Sequence, residues 1–171
     1  MILGLSVHTF TVLHVLLSFI AILCGANVVS GIIQGKVLRG WTPVFLGATL
    51  LTTVGGFLFP ITKFTPALGV GAVSLLVFAV SIATLIQGRW SGAGRWLYAA
   101  SVTISLYLNV FVALAQSFQK IPALRDLAPT GTEPSFVVSQ LLLLVAFVYL
   151  GLLAVKRFNP IPLLSRTSGT G

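Results

Sequence analysis

An integral membrane bundle of five α-helices is the fold class this chain predicts, on three observations. Five stretches, residues 8–33, 42–59, 66–87, 95–118 and 134–155, carry almost no charge. Each is close to the roughly 20 residues that cross a hydrocarbon core of about 30 Å at 1.5 Å per helical residue. The composition is 57% apolar and only 7% charged, with a mean hydropathy of +1.08, where soluble domains carry about 25% charged residues. The few charges stand at the ends of the stretches. A soluble arrangement would need polar surface to cover five such helices, and this chain has none to give. One domain is expected over residues 1–157, followed by a cytoplasmic tail, 158–171. Connections are short, so neighbouring helices should run antiparallel.

A formal charge of +8 would suggest nucleic acid in a soluble protein, but the ten basic residues do not form one patch. With five spans, Lys36, Arg39, Arg89, Arg95, Lys156, Arg157 and Arg166 collect on one side. Lys63, Lys120 and Arg125 fall on the other, together with both acids, Asp126 and Glu133. Seven against three places the N-terminus outside and the C-terminus in the cytoplasm. Trp41, Trp90 and Trp96 then all lie at the cytoplasmic headgroup level, where amphipathic rings are favoured.

The first span lacks the basic n-region and small-x-small cleavage site of a signal peptide and is expected to remain as a helix. Cys24 follows Leu23, where a lipobox wants a small residue, and as the single cysteine it allows no internal disulfide. It reads as a small packing residue. Thr11, His14, Ser18, Ala21 and Gly25 form one small and polar face; Asn27 lies opposite His14 and marks a second helix contact or an oligomer interface. The lines Ala48, Thr52, Gly56 in the second span and Gly71, Ser74, Ser81 in the third read as packing surfaces. Between the third and fourth spans a doubled Gly-Arg-Trp, residues 88–90 and 94–96, reads as an interfacial anchor, since it lacks the strand and spacing of a nucleotide-binding loop.

The fourth span carries the strongest pattern. Asn109 and Gln116 are seven residues apart, about 20° from eclipsed, and Lys120 continues the line. Val102, Ser105 and Ala113 complete this face, and Tyr107 points the other way. Beyond it, Pro122 is placed to open a short interfacial helix, with Thr132 or Glu133 capping the fifth span ahead of Pro134. Arg125, Asp126 and Glu133 are then either local capping and ion-pairing groups or part of a lid. In the fifth span Gln140 lies about two turns below the outer end.

These depths put His14, Asn109, Gln116 and Gln140 in the outer half or at mid-membrane, because buried polar groups in lipid turn toward a partner. Two arrangements satisfy them. One is a polar pocket open to the outside or to the outer leaflet, lined by these four with Lys120 and covered by the 120–133 segment. The other is interhelical glue, with Asn109 bonded to His14 and no ligand. A bis-histidine haem within one monomer is excluded, because His8 and His14 are six residues apart on one helix and about 120° apart around it; a haem shared across a dimer is disfavoured. Two histidines without a buried acid or thiol cluster argue against a metal site. No span contains an acid for a catalytic triad or for ion-coupled transport. The expected roles are therefore an accessory subunit or a binder of an amphipathic lipid-soluble molecule, a quinone or lipid, with no catalytic residues. The alternative is a homo-oligomeric channel or transporter for a small solute. Membrane lipids and a homo-oligomer or larger complex are the expected partners, and nucleic acid is not.

The run 106–112 (Leu-Tyr-Leu-Asn-Val-Phe-Val), then Gln116, Phe118, Lys120 and Pro122, Leu-Ala-Pro-Thr at 127–130 and Glu133-Pro134 resembles a family of small uncharacterised bacterial inner-membrane proteins with five transmembrane spans. His14 and the Gly-Phe-Leu-Phe-Pro run at 56–60 fit the same pattern. The resemblance implies a multi-pass protein of the bacterial cytoplasmic membrane. It implies no activity and no catalytic residues.

Overall fold

A computed structural model of the chain describes residues 1–59, 66–88 and 92–160. Lys63, Arg89, Trp90 and Arg166, on which part of the charge count rests, lie outside them, as does the tail from residue 161. Among the described residues the only regular structure is helical: α1 Val7–Ile33, α2 Trp41–Phe57, α3 Pro66–Gln87, α4 Ala93–Lys120, α5 Pro122–Leu127 and α6 Pro134–Arg157. Four of these, α1, α3, α4 and α6, are long and apolar enough to cross a membrane, whereas α2 has 17 residues.

The helix ends follow from local chemistry. Ser6 caps α1 by accepting the Thr9 N–H at 3.0 Å, and its hydroxyl also pairs with that of Thr9. At the other end Gly35 takes φ 74° and the N–H groups of Gly35 and Lys36 return to the carbonyls of Ile32 and Gly31. This closing turn needs a left-handed residue, which glycine supplies without a Cβ penalty. Pro122 and Pro134 open α5 and α6 at positions where a missing N–H breaks no helical bond. The five apolar stretches thus coincide with helices α1, α2, α3, α4 and α6 to within two residues at each end.

Helices α1 to α4 form an up-down-up-down bundle in which each packs on the next and α4 closes back on α1. Helix α6 lies against α4 and, less extensively, α1. The connections after α1 and α3 share one end of the bundle with the end of α6, where Gly35 stands beside the carbonyls of Arg157 and Asn159. Phe158, placed in the tail by its sequence position, instead belongs to the bundle. Its ring is fully buried against Tyr98, with centroids 5.5 Å apart, because the chain turns inward after Arg157 at an aromatic contact.

Close packing is confined to that end. In α1 every buried residue lies from Ala21 onward; in α3, among the residues whose burial is described, only Ser81 and Thr84 are buried; in α6 only Ala154 is buried. In α4 burial runs from Tyr98 to Leu106, with Phe118 alone beyond, and in α2 from Thr42 to Thr49, with Gly55 alone beyond. At the junction of three helices, Gly25 of α1 lets the Phe45 ring of α2 and Leu106 of α4 approach: a methyl group on it would stand 2.7 and 2.8 Å from them. The outer faces of all five long helices remain apolar and exposed, with Leu76 70%, Leu142 67% and Leu23 65% accessible, as suits lipid in place of water. The bundle is closed at the end carrying Lys36, Arg39, Arg95, Lys156 and Arg157, and loosely packed toward the end carrying Lys120, Asp126 and Glu133.

Candidate functional site

The interior polar groups are mostly hydroxyls: Thr42, Thr49, Ser81, Thr84, Ser101, Thr103 and Ser105 are buried. Those of Thr42, Ser81, Thr84, Ser101 and Thr103 donate to carbonyls three or four residues earlier in the chain, the local solution open to serine and threonine in a helix. Asn109 is different. Its Nδ2 donates to Thr49 Oγ1 at 2.9 Å, a bond from α4 to α2 across the bundle. Such interhelical bonds are worth about 0.6 kcal/mol on average in a membrane bundle.

Asn109 therefore does not bond His14. Leu106 meets Gly25, whereas His14 is eleven residues back along α1, at Gly55 of α2. The axial separation of His14 from Asn109 is on the order of 10 Å. A methyl group on Gly55 would stand 3.3 Å from His14 Nδ1 and 3.7 Å from Phe10 Cζ. The absence of a side chain at Gly55 thus gives the imidazole its place on α2. Phe59 meets both Phe10 and His14 edge-on, at 5.1 and 5.4 Å between centroids. The ring is half-buried, and its nitrogens have no hydrogen-bond partner among the described residues.

Gln116 stands about two turns beyond Asn109 on the same face, near the level of His14, but is exposed where the bundle loosens. Gln140 belongs to a different seam. Its Nε2 reaches the carbonyl of Phe111 at 3.4 Å, and Phe111 is about 200° around α4 from Asn109. Tyr107 lies on that α6-facing side, its ring 5.6 Å from Phe147. The structure so places His14 at Gly55 and Asn109 at Thr49 of the same helix, α2, with Gln116 beyond Asn109 on α4, and puts Gln140 in a different seam. Lys120 ends α4 and is exposed.

Three residues stand beside Asn109 that the sequence reading did not assign to the site. Thr49 holds Asn109, and Thr52, one turn along α2 toward Gly55, has a buried hydroxyl without a partner among the described residues. Ser105, one turn below Asn109, is 2% exposed and its hydroxyl is likewise without one. The only signal for Thr49 is its seven-residue spacing from Thr42, which puts both on the interior face of α2.

Helix α5 is anchored on α4, and Ser135 Oγ donates to the Leu127 carbonyl at 2.6 Å. Phe118 and Phe136 pack edge-on at 5.4 Å beneath it. Arg125 and Asp126 are exposed on α5. Glu133 occupies the N-cap position of α6, but its carboxylate does not cap the helix. It accepts instead from the Thr130 N–H and hydroxyl and the Thr132 N–H, at 2.9–3.0 Å, because the turn brings these donors back first.

Those bonds favour the ionised form and hold the Glu133 carboxyl at about 2, with the Thr130 N–H as the largest cause. An unperturbed glutamate titrates near 4.3. The folded value is the lower, so the stabilisation of the turn is complete above about pH 4.3 and is lost as pH falls toward 2. We expect the amide protection of Thr130 and Thr132 in hydrogen exchange to fall in that window. In Glu133→Gln it should be weak at every pH, and an unchanged acid response in that variant would contradict the assignment.

Searches against family models, curated proteins and solved structures find no match to this chain.

Proposed function

We propose that the chain is a small multi-pass protein of the bacterial cytoplasmic membrane that binds one amphipathic, lipid-soluble molecule, a quinone or a lipid, between α1, α2 and α4. In this reading all five long helices span, α2 with 17 residues at the short end of the range, about 25 Å. The N-terminus faces outside and the loosely packed half lies toward the outer leaflet. The observation that carries the proposal is the contrast between the two halves. The closed half is filled by side chains, while the other half keeps His14, Asn109 and Thr52 between apolar walls with hydrogen-bonding capacity unused among the described residues.

The unused groups suit a particular chemistry. The hydroxyl of Thr52 and one His14 ring nitrogen can each donate, so carbonyl oxygens on an otherwise apolar molecule would satisfy them. Phe10 and Phe59 give such a molecule an aromatic edge to lie against. Helix α5, with Arg125 and Asp126, would stand at the mouth on the α4 side, and Lys120 is within the headgroup region, where a cation pairs with phosphate.

Native mass spectrometry of the detergent-purified protein, with an absorption spectrum and lipid extract of the same sample, tests this. The expected result is one tightly held molecule per chain, lost or weakened at least tenfold in His14→Leu and Asn109→Leu while both variants remain folded. Retention of the molecule in both variants, or an empty and stable protein, would shift the reading to an accessory subunit or an oligomeric channel.

A further inference from the structure

Helix α1 presents an amide to the lipid. Asn27 is exposed, six residues before the helix ends at Ile33, so it sits about 9 Å inside the span. Its Nδ2 donates to the Leu23 carbonyl at 2.9 Å, which uses one of its two N–H groups. The second N–H and the carbonyl oxygen point away from the bundle, where hydrocarbon offers neither a donor nor an acceptor. Among the described residues no other long helix exposes an amide this far from its ends.

The surroundings of Asn27 form a packing seam. Leu16, Ile20, Leu23, Asn27 and Ser30 are all exposed and recur at alternating steps of four and three residues, the 3.5-residue period of a left-handed helix pair. Ala26 and Ser30 are small and flank Asn27, which lets a second backbone come close at its depth. Toward the headgroups, Gln34 bonds Ser30 at 3.2 Å, so the seam becomes polar where water begins.

We infer that this face of α1 is the contact with a second copy of the chain, in a two-fold dimer whose axis lies along the membrane normal. Copies in one membrane share an orientation, so α1 meets α1 in parallel and Asn27 meets its own image at the same depth. A two-fold contact must be self-complementary. Asparagine is so here, because its free N–H and its free carbonyl oxygen satisfy each other across the axis. A different protein would have to carry a matching amide at that depth. The contact is on the opposite side of α1 from His14 and holds whether or not a ligand binds between α1, α2 and α4.

Two measurements in phospholipid vesicles test the dimer. With Cys24 replaced by alanine, Leu23→Cys should form an intermolecular disulfide on mild oxidation, and Val145→Cys, 66% exposed on α6, should not. With Cys24 intact and fluorophores on the C-terminus, energy transfer should report a dimer whose dissociation constant rises about tenfold in Asn27→Leu, given two reciprocal bonds of ordinary strength. Asn27→Gln should recover most of the loss. Equal or preferential cross-linking through Val145→Cys, or a dimer indifferent to Asn27→Leu, would overturn the inference.

Discussion

Gly25→Ala will destabilise the bundle by about 2 kcal/mol, and Gly25→Leu by enough to prevent its assembly. The added methyl group would stand 2.7 Å from Phe45 Cε2, 2.8 Å from Leu106 Cδ1 and 2.9 Å from Phe45 Cδ2. No carbon pair tolerates such distances, so a neighbour must move. Phe45 is fully buried and Leu106 is 4% exposed, which leaves neither ring nor methyl group a free direction. Overpacking of a closed core typically costs about 1–3 kcal/mol. The junction joins three helices, so relief at one contact tightens another. Gly47→Ala is the control: it lies on the same helix as Phe45, and an added methyl group meets nothing within 4 Å. The unfolding midpoint in a denaturing-detergent titration should fall for Gly25→Ala and stay unchanged or rise slightly for Gly47→Ala. Equal midpoints for the two would mean that α1, α2 and α4 do not meet as described.

This junction also shows which features were legible in the sequence. Helix ends were, because Pro66, Pro122, Pro134 and the charged residues act locally, whatever the tertiary setting. The inward turn of Asn109 was legible too, since α4 carries a polar stripe against an apolar background. The partner of Asn109 was not. Threonine and serine occur on every interior face, and the axial offset between α1 and α4, which separates His14 from Asn109, is set by Gly25 meeting Phe45 and Leu106. Gln140 failed for a related reason: α6 is apolar all round, so its sequence gives no face, and its contact with Phe111 of α4 is a fact of packing alone. The contrast between closed and loose halves is equally silent, because in lipid an interior leucine and an exterior one are the same residue.

Phe158→Ala should be the most damaging truncation at the closed end, at about 3 kcal/mol. Phenylalanine to alanine costs about 3–5 kcal/mol in soluble cores. The lower end applies here because lipid beside the basic end replaces part of the transfer from water, leaving lost packing as the larger share. The ring is fully buried beside Tyr98, itself fully buried, and the Phe158 N–H closes α6 on the Ala154 carbonyl at 2.9 Å. Removing the ring leaves a cavity whose walls cannot collapse, since Tyr98 and Ala99 sit on α4 and Ile32 and Val29 on α1, each fixed by its own helix. The consequence is local before it is global: the last turns of α6 should separate from α1 and α4 while the α2–α3 side stays intact. Leu152→Ala, 55% exposed on the outer face of the same helix, should change stability by less than about 0.5 kcal/mol. Limited proteolysis from the C-terminus would separate the two cases. Early cleavage within residues 150–157 in Phe158→Ala alone is expected, and equal resistance in both variants would place the anchor of α6 elsewhere. If His14→Leu released a bound molecule while Phe158→Ala retained it, the loose half would be the binding element and the closed half its support.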